Sequence, residues 1–332
     1  IRHERRLNRI PIRIHVNGTR GKSNVTRLIA AALRRSGIRT LGKTTGTIPR
    51  LILPDRSEKT IRRWAPPNIL EQIKTVAIAD KMKAEALVIE CMALDPVLQF
   101  VSEKNMIRST VGVITNVRPD HFEVMGDSLD DIAEALSATI PDQGTLITGD
   151  SRYAPFFSTV ASEMGSRVIL ADAAETEAAD CPQGRFLFPE NAAIARSVVS
   201  LIGRDPAAVS ACLDEGLILR ESAGVSRACL EGRQVHFIDA FSANDVVSTR
   251  MIQEKAVARF SCPRPRIALF NNRADRPLRL RSFAFSLLDD PFYDYIAVIG
   301  ECRRLAHRFI GRKTPEEKIF VLKGTTPAEI LQ

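Results

Sequence analysis

The run Asn17-Gly18-Thr19-Arg20-Gly21-Lys22-Ser23 brings two glycines, a lysine and a hydroxyl together, entered from Arg13-Ile14-His15-Val16 and left through Asn24 to Leu33. That order reads as a strand, a glycine loop and a helix with lysine and serine at the join. Gly18 and Gly21 allow backbone angles and a close approach that side chains would block. Successive N–H groups and the helix N-terminus can then face phosphate oxygens. Lys22 can bridge β- and γ-phosphates, and Ser23 can ligate Mg²⁺. Counted from Gly18, the run is one residue shorter than G-x-x-x-x-G-K-[ST], so it is a variant loop. A turn that merely caps a helix would explain the glycines but leave Lys22-Ser23 to chance.

The elements that must hold this loop are legible around it. Strand and helix signals alternate along the chain, which predicts an α/β architecture with largely parallel sheets. Gly37 is placed to end the first helix, Ile38 to Leu41 reads as a short strand, and Lys43-Thr44-Thr45-Gly46-Thr47 as a polar loop. Leu87-Val88-Ile89-Glu90 and Val111 to Asn116 look like buried central strands, because they are apolar runs that end abruptly in polar residues. Ligands of open α/β sheets gather at such strand ends. Glu90 ends one of them, where an unpaired buried carboxylate is costly, so it needs a metal or a cationic partner. Further strands are expected at 145–148 and 167–170, and helices at 190–202 and 206–213.

A domain boundary is expected between Glu215 and Ser226, where Gly216 and Gly224 flank a polar stretch. Beyond it a hairpin is predicted, with strands at 227–230 and 235–239 and the turn Glu231-Gly232-Arg233. Strands at 266–270, 295–299 and 318–322, separated by helices, then form a second and smaller α/β layer. The final stretch, 326–332, reads as the first turns of a helix.

Composition fits a two-domain enzyme. The 332 residues are 45% hydrophobic and 26% charged, enough for two ordinary cores. Six scattered cysteines form no C-x-x-C pair, so reduced thiols are the default. Nothing reads as a signal peptide or as the ~18 apolar residues of a membrane span. A net charge of +8 suits an anionic partner. With aromatics at 6% and no aromatic-basic interleaving, nucleic acid is not expected among its partners.

Taken together, the loop and strand-end residues resemble the Mur ligase superfamily of ATP-dependent amide ligases. Within it they are similar to the ligase subunits of poly-γ-glutamate synthases, the PgsB/CapB type. The superfamily features are Gly18 to Ser23, Thr44-Thr45-Gly46-Thr47, Glu90, Ile114-Thr115-Asn116-Val117-Arg118-Pro119-Asp120-His121 and Glu190-Asn191-Ala192-Ala193-Ile194-Ala195. The capsule-type features are Asn68-Ile69-Leu70-Glu71-Gln72, Glu90-Cys91-Met92-Ala93, Asp239-Ala240-Phe241-Ser242-Ala243-Asn244-Asp245 and Asn271-Asn272-Arg273-Ala274-Asp275-Arg276.

The resemblance implies a central P-loop NTPase-like Mur ligase domain over 13–215 and a smaller Rossmann-like α/β domain over 216–332. It implies ATP with Mg²⁺, for which Mn²⁺ can stand in. Gly18, Thr19, Arg20, Gly21, Lys22, Ser23 and Thr45 would hold the nucleotide. Ser23, Glu90 and His121 would be the metal ligands, with Asp120 orienting a neighbour. Asn191 would either meet the adenine or cap its helix, and Asp239 and Asn244 would close the second domain over ATP. Arg273 and Arg276 would recognise carboxylate or phosphate, the alternative being a surface salt bridge. Lys22, Glu90, His121, Arg273 and Arg276 are thus the expected catalytic set.

By the same resemblance the substrates are glutamate and a growing poly-γ-glutamate chain. The partners are integral-membrane PgsC/CapC-type and PgsA/CapA-type subunits, with self-association left open. Residues 1–12, rich in arginine, would be the cytoplasmic flank of an N-terminal membrane anchor that this chain lacks. The alternative is the solvated face of a short helix. Two other functions stay open at this stage, a folylpolyglutamate synthase-like glutamate ligase and a P-loop NTPase doing conformational work. One departure stands out. Many Mur ligases bridge a second Mg²⁺ with a carbamylated lysine after Asp-His, and the stretch 122–148 contains no lysine. Glu123 or Asp127 would have to substitute, or a second metal be held differently.

Overall fold

The computed structural model describes residues 2–46, 48–174, 184–213, 222–230, 232–260 and 262–323. Thr47, Cys181, Glu231, most of the expected boundary stretch and the expected helix at 326–332 lie outside the described residues. Contacts divide the chain into two compact units, Ile1–Ser222 and Ala223–Gln332.

The first unit opens with the short helix α1 (Arg2–Leu7), then β1 (Ile12–Asn17), α2 (Lys22–Arg35), β2 (Thr40–Thr44), β3 (Arg50–Ile52), β4 (Glu58–Thr60), α3 (Leu70–Lys81) and β5 (Ala86–Glu90). It continues through α4 (Pro96–Val101), a π-helical turn at Ser102–Ile107, β6 (Val111–Ile114), α5 (Phe122–Met125), α6 (Leu129–Ser137) and β7 (Thr145–Thr148). α7 (Ala154–Glu163), β8 (Arg167–Leu170), α8 (Pro189–Leu201) and α9 (Ala207–Ala211) complete it.

The strands form one eight-stranded sheet in the order β4-β3-β2-β5-β1-β6-β7-β8. Among the described strands of this sheet only β3 is reversed, antiparallel to both β2 and β4. Both faces are covered, which is why the central strands read as unbroken apolar runs. One face packs Ile14, Val16, Val88, Val113 and Ile147 against Val25, Leu28, Ile29 and Leu33 of α2 and Ile194, Val198 and Val199 of α8. The other carries two clusters. Leu41, Leu87 and Ile89 meet Val76 and Ala79 of α3, while Ile114 and Leu146 meet Ile132, Leu136 and Phe157.

This strand order decides where a ligand can sit. From β1 the chain moves to one side of the sheet for β2, and after β5 it crosses to the other side for β6. β1 lies between β5 and β6, so the loop leaving β1 opens at the topological switch point, the crevice where open α/β sheets bind ligands.

One local expectation is corrected. The strand expected at 38–41 begins at Thr40 and runs through Lys43 and Thr44, which were expected in a loop. β2 is an interior strand, hydrogen-bonded to β3 and β5, and pairing on both sides overrides its polar composition. The arginine-rich start is the helix α1, bound to the body of the unit. Arg6 and Arg9 pair with Asp80, Arg13 donates to the carbonyls of Leu7, Ile10 and Arg108, and His3 bonds the Met106 carbonyl. No described helix is long and apolar enough to cross a membrane.

The second unit starts with the hairpin β9 (Gly224–Leu230) and β10 (Arg233–Asp239), paired antiparallel. α10 (Val246–Arg259), β11 (Ile267–Asn272), α11 (Pro277–Ser286), β12 (Tyr295–Gly300), α12 (Arg303–Ile310) and β13 (Ile319–Val321) follow. β11, β12 and β13 make a three-stranded parallel sheet. Its core joins Phe270, Ile296 and Val298 to Leu280 and Phe283 of α11 and Ala306 and Ile310 of α12.

Candidate active site

The phosphate loop is set by two glycines in left-handed backbone. Gly18 has φ +121, and a Cβ there would stand 2.1 Å from Thr115 Oγ1 and 2.7 Å from the Thr115 nitrogen. Gly21 has φ +87, and a Cβ there would stand 2.6 Å from Asn191 Oδ1. Only glycine meets both demands.

The end of β6 clamps the same loop. Asn116 Oδ1 accepts from Thr19 Oγ1 at 2.8 Å and from the Arg20 N–H at 3.1 Å, while its Nδ2 donates to the Arg20 carbonyl at 3.0 Å. Thr115 Oγ1 donates to that carbonyl at 2.6 Å, and the Arg118 N–H donates to Thr19 Oγ1 at 2.9 Å. Asn116, not singled out from the sequence beyond its motif, is therefore the residue that holds the loop's shape. Its signal was present: an asparagine directly after a buried strand, where both ends of the amide can find partners.

Lys22 and Ser23 open α2. The Lys22 ammonium donates to the Gly18 carbonyl at 2.6 Å, folding back over the loop whose phosphate it is expected to meet. Ser23 Oγ donates to Glu90 Oε2 at 2.9 Å, and the Thr45 N–H donates to the same oxygen at 2.7 Å. Glu90 is only 3% exposed. Neither a salt bridge nor a bare carboxylate, it has one oxygen held by two donors and no described hydrogen bond to the other.

These are hard oxygen donors at the phosphate end of the sheet, and they fit Mg²⁺. That ion takes one or two protein oxygens and fills its remaining positions with phosphate oxygens and water. Among the described residues no three histidine, cysteine or acidic side chains gather closely enough to hold a metal alone.

His121 sits in left-handed backbone, φ 48, at the start of α5. Its Nδ1 lies 3.2 Å from Glu123 Oε1 and its Nε2 3.7 Å from Asp120 Oδ2. Asp120 also accepts from the Arg20 guanidinium. Burial pushes the Asp120 carboxyl up, but Arg20, with His121 and Lys22 adding to it, outweighs that and holds it below the usual carboxylate range. Asp120 thus links the loop to His121, and Glu123 is already engaged with the same ring. The described contacts join Ser23 to Glu90 and leave His121 in this separate acidic pair.

Asn191 does not cap its helix. The cap position of α8 belongs to Phe188, with Pro189 in the first turn. Asn191 is buried inside the helix's first turn, its amide turned onto Gly21. The cap alternative is excluded, and the side chain borders the glycine loop.

A buried charge lies beneath this site. Lys43 on β2 is fully buried, its ammonium donating to Gln72 Oε1 at 3.0 Å and lying 3.5 Å from Glu71 Oε2. Burial pushes its pKa down to about 8, against the pull of Glu71 and, further off, Glu90.

In the second unit the strand ends carry arginines. Arg273 forms a bidentate pair with Asp275 at 2.9 and 2.7 Å, the salt-bridge alternative drawn from the sequence. Arg276 caps α11. Arg279, unforeseen, donates to Asn244 Oδ1 at 3.1 Å and to the Asn271 carbonyl. Burial first, then Arg276 and Arg273, lowers the Arg279 pKa, a mark of crowded positive charge. A cavity of about 560 Å³ opens here, lined by Asn271, Asn272, Arg273, Asp275, Gly300 and Glu301. Asn244 is therefore tied to the arginine group, while Asp239 ends β10 and accepts from the Phe241 N–H at 3.3 Å.

Comparison with known proteins gives the family. Residues 16–192 match the Mur ligase middle domain, and residues 226–332 match the poly-gamma-glutamate synthase CapB C-terminal domain. The capsule biosynthesis protein CapB of Bacillus anthracis is 36% identical over 338 residues, covering 99% of this chain and 72% of that protein. The PGA synthase CapB of Bacillus subtilis (strain 168) is 35% identical over 341 residues, covering 100% of this chain and 85% of that protein. In fold, the chain is similar to the folylpolyglutamate synthase of Mycobacterium tuberculosis complexed with ADP. The TM-score is 0.70 at 17% identity, covering 96% of this chain and 82% of that one. With a glycine loop at the switch point, two matched domains and relatives aligned over nearly all of this chain, the chain belongs to the Mur ligase superfamily of ATP-dependent amide ligases and, within it, to the CapB-type poly-gamma-glutamate synthases.

Proposed function

We propose that the protein lengthens poly-γ-glutamate by ATP-dependent amide formation, using the first unit to bind Mg²⁺-ATP and the second to recognise carboxylates. The observation that carries this reading is the buried Glu90 carboxylate. It is bound through one oxygen by the phosphate-loop serine and the Thr45 N–H, at the end of the strand beside the loop.

Joining a carboxylate to an amine in water is uphill, so the carboxylate must first be activated. In the proposed step a carboxylate oxygen of the substrate attacks the γ-phosphorus, and ADP leaves with the electrons of the broken bond. The incoming amine nitrogen then attacks the acyl carbon, phosphate departs, and the nitrogen loses a proton to solvent or a nearby base. The protein's task is positioning and charge neutralisation. The loop amides and Lys22 face the phosphates, and Arg20, Thr19 and Asn116 keep the loop in shape. Ser23 and Glu90 would hold Mg²⁺, which supplies neutralisation of the β- and γ-phosphate charge. His121, paired with Asp120, is the third ligand candidate, and Asn191 is the candidate neighbour of the base.

Arg273 and Arg276 are assigned to carboxylates of glutamate or the growing chain. Their crowding beside Arg279 supports that role, since adjacent guanidiniums favour an anion between them. The arginine-rich α1 supports a working position at the cytoplasmic membrane face beside integral-membrane partners. Fractionating cells that express the natural protein with those partners tests this, and a wholly soluble protein would refute it.

The reaction itself is tested by measuring ADP release with and without glutamate and polymer. Turnover that requires both supports the ligase. Equal ATP hydrolysis in their absence would favour an NTPase.

A further inference from the structure

Beneath Glu90, four side chains form a chain of fixed donors and acceptors that ends on its backbone carbonyl. Arg63 grips Glu71 through two bonds, Nε to Oε1 at 2.7 Å and Nη2 to Oε2 at 3.1 Å. Glu71 faces the Lys43 ammonium, which donates to Gln72 Oε1. Gln72 Nε2 in turn donates to the backbone carbonyl of Glu90 at 3.2 Å. Lys43 and Gln72 are both fully buried.

The direction of this relay is dictated by chemistry. An ammonium only donates and a backbone carbonyl only accepts, so the Gln72 amide has one orientation that satisfies both. Without Lys43 the buried Gln72 Oε1 loses its donor and only the Glu90 carbonyl is left to orient the amide, so the bond that holds the end of β5 is less firmly fixed.

The strand register strengthens the point. Lys43 pairs with Ile89, the residue before Glu90, and the Thr45 N–H that binds the Glu90 carboxylate lies two residues further along the same segment. The β2 segment therefore holds Glu90 twice, directly at the carboxylate and through Lys43 and Gln72 at the backbone. An apolar side chain would pack beside Leu41 and Ile89 without the penalty of burying a charge.

We propose that Lys43 is a positioning residue for the cation site, acting through Gln72 to fix the end of β5 so that Glu90 presents its carboxylate to the metal. The inference rests on the reading of Ser23 and Glu90 as cation ligands.

The experiment measures Mn²⁺ binding by electron paramagnetic resonance with a non-hydrolysable ATP analogue present, on the parent protein and on Lys43→Met, Gln72→Glu and Glu90→Gln. Thermal melts establish that each variant is folded. Orienting partners of metal ligands are typically worth ~10-fold or more in metal affinity. Lys43→Met is expected to weaken Mn²⁺ binding by about that factor, and ATP-analogue affinity measured without metal should stay unchanged. Gln72→Glu still accepts from Lys43 but has no donor for the Glu90 carbonyl, so it should weaken Mn²⁺ similarly. It decides the matter if Lys43→Met does not fold. Parent-like Mn²⁺ affinity in folded Lys43→Met and Gln72→Glu, with weakened binding in Glu90→Gln, would overturn this inference alone. Parent-like affinity in Glu90→Gln as well would overturn the cation-site reading beneath it.

Discussion

Replacing Glu90 by Gln separates the two jobs given to this carboxylate. Oε2 accepts from Ser23 Oγ at 2.9 Å and from the Thr45 N–H at 2.7 Å, and the amide oxygen of Gln can take both bonds in the same place. The amide nitrogen then stands where the other carboxylate oxygen was, offering protons to a cation. Stability should change little. Two charge-assisted bonds weaken to neutral ones, a loss of about 1 kcal/mol each, offset by no longer burying a charge. Catalysis should suffer far more. Losing one transition-state electrostatic contact costs about 3–4 kcal/mol, or roughly 10²–10³-fold in kcat. ADP release coupled to a spectrophotometric readout, with glutamate, polymer and saturating Mg²⁺, measures this, and urea unfolding measures stability. A folded Glu90→Gln protein that keeps more than about a tenth of parental kcat would refute the reasoning, because losses of this kind exceed 10²-fold.

Further outcomes are expected. Gly18→Ala should lose more stability than Gly21→Ala in urea titrations, because its Cβ meets the Thr115 backbone nitrogen at 2.7 Å, whereas that of Gly21 meets the movable Asn191 amide. Gly21→Ala should instead raise the nucleotide Kd, since it displaces Asn191. Arg273→Lys and Arg276→Lys should each raise the KM for glutamate or polymer more than that for ATP, because the planar fork is lost while the charge stays. An effect confined to ATP would count against the carboxylate assignment. The pKa of Lys43 falls from 10.5 to about 8 on folding, so between those pH values the unfolded chain holds a proton that the folded one lacks. Stability must therefore rise with pH across that window, by up to about 3 kcal/mol from this group. Unfolding midpoints taken at pH 7.5 and 10 should show this rise in the parent, and its reduction in Lys43→Met.

The loop was legible because its chemistry is local. Gly18, Gly21, Lys22 and Ser23 are neighbours in sequence and in space, and β5 and β6 announce themselves as apolar runs ending in Glu90 and Asn116. The parts that sequence misjudged depend on partners far along the chain. Lys43 and Thr44 look like loop residues until β3 and β5 pair with β2 on either side. The cap of α8 falls to Phe188 because Pro189 starts the helix, which carries Asn191 inward against Gly21. Arg279 carries no signal of its own. Its role follows from where α11 sets it against Asn244 and the end of β11. His121 stands out in the sequence beside Asp120, but its pairing with Asp120 and Glu123 appears only once α5 forms.

The central claim is that a substrate carboxylate is activated by phosphorylation on this protein, and isotope transfer tests it most directly. Polymer and glutamate both labelled with ¹⁸O in their carboxylates, incubated with the protein, ATP and Mg²⁺, should release phosphate carrying one ¹⁸O for each amide bond formed, with ADP as the nucleotide product. Unlabelled phosphate, or AMP and pyrophosphate in place of ADP, would contradict the account.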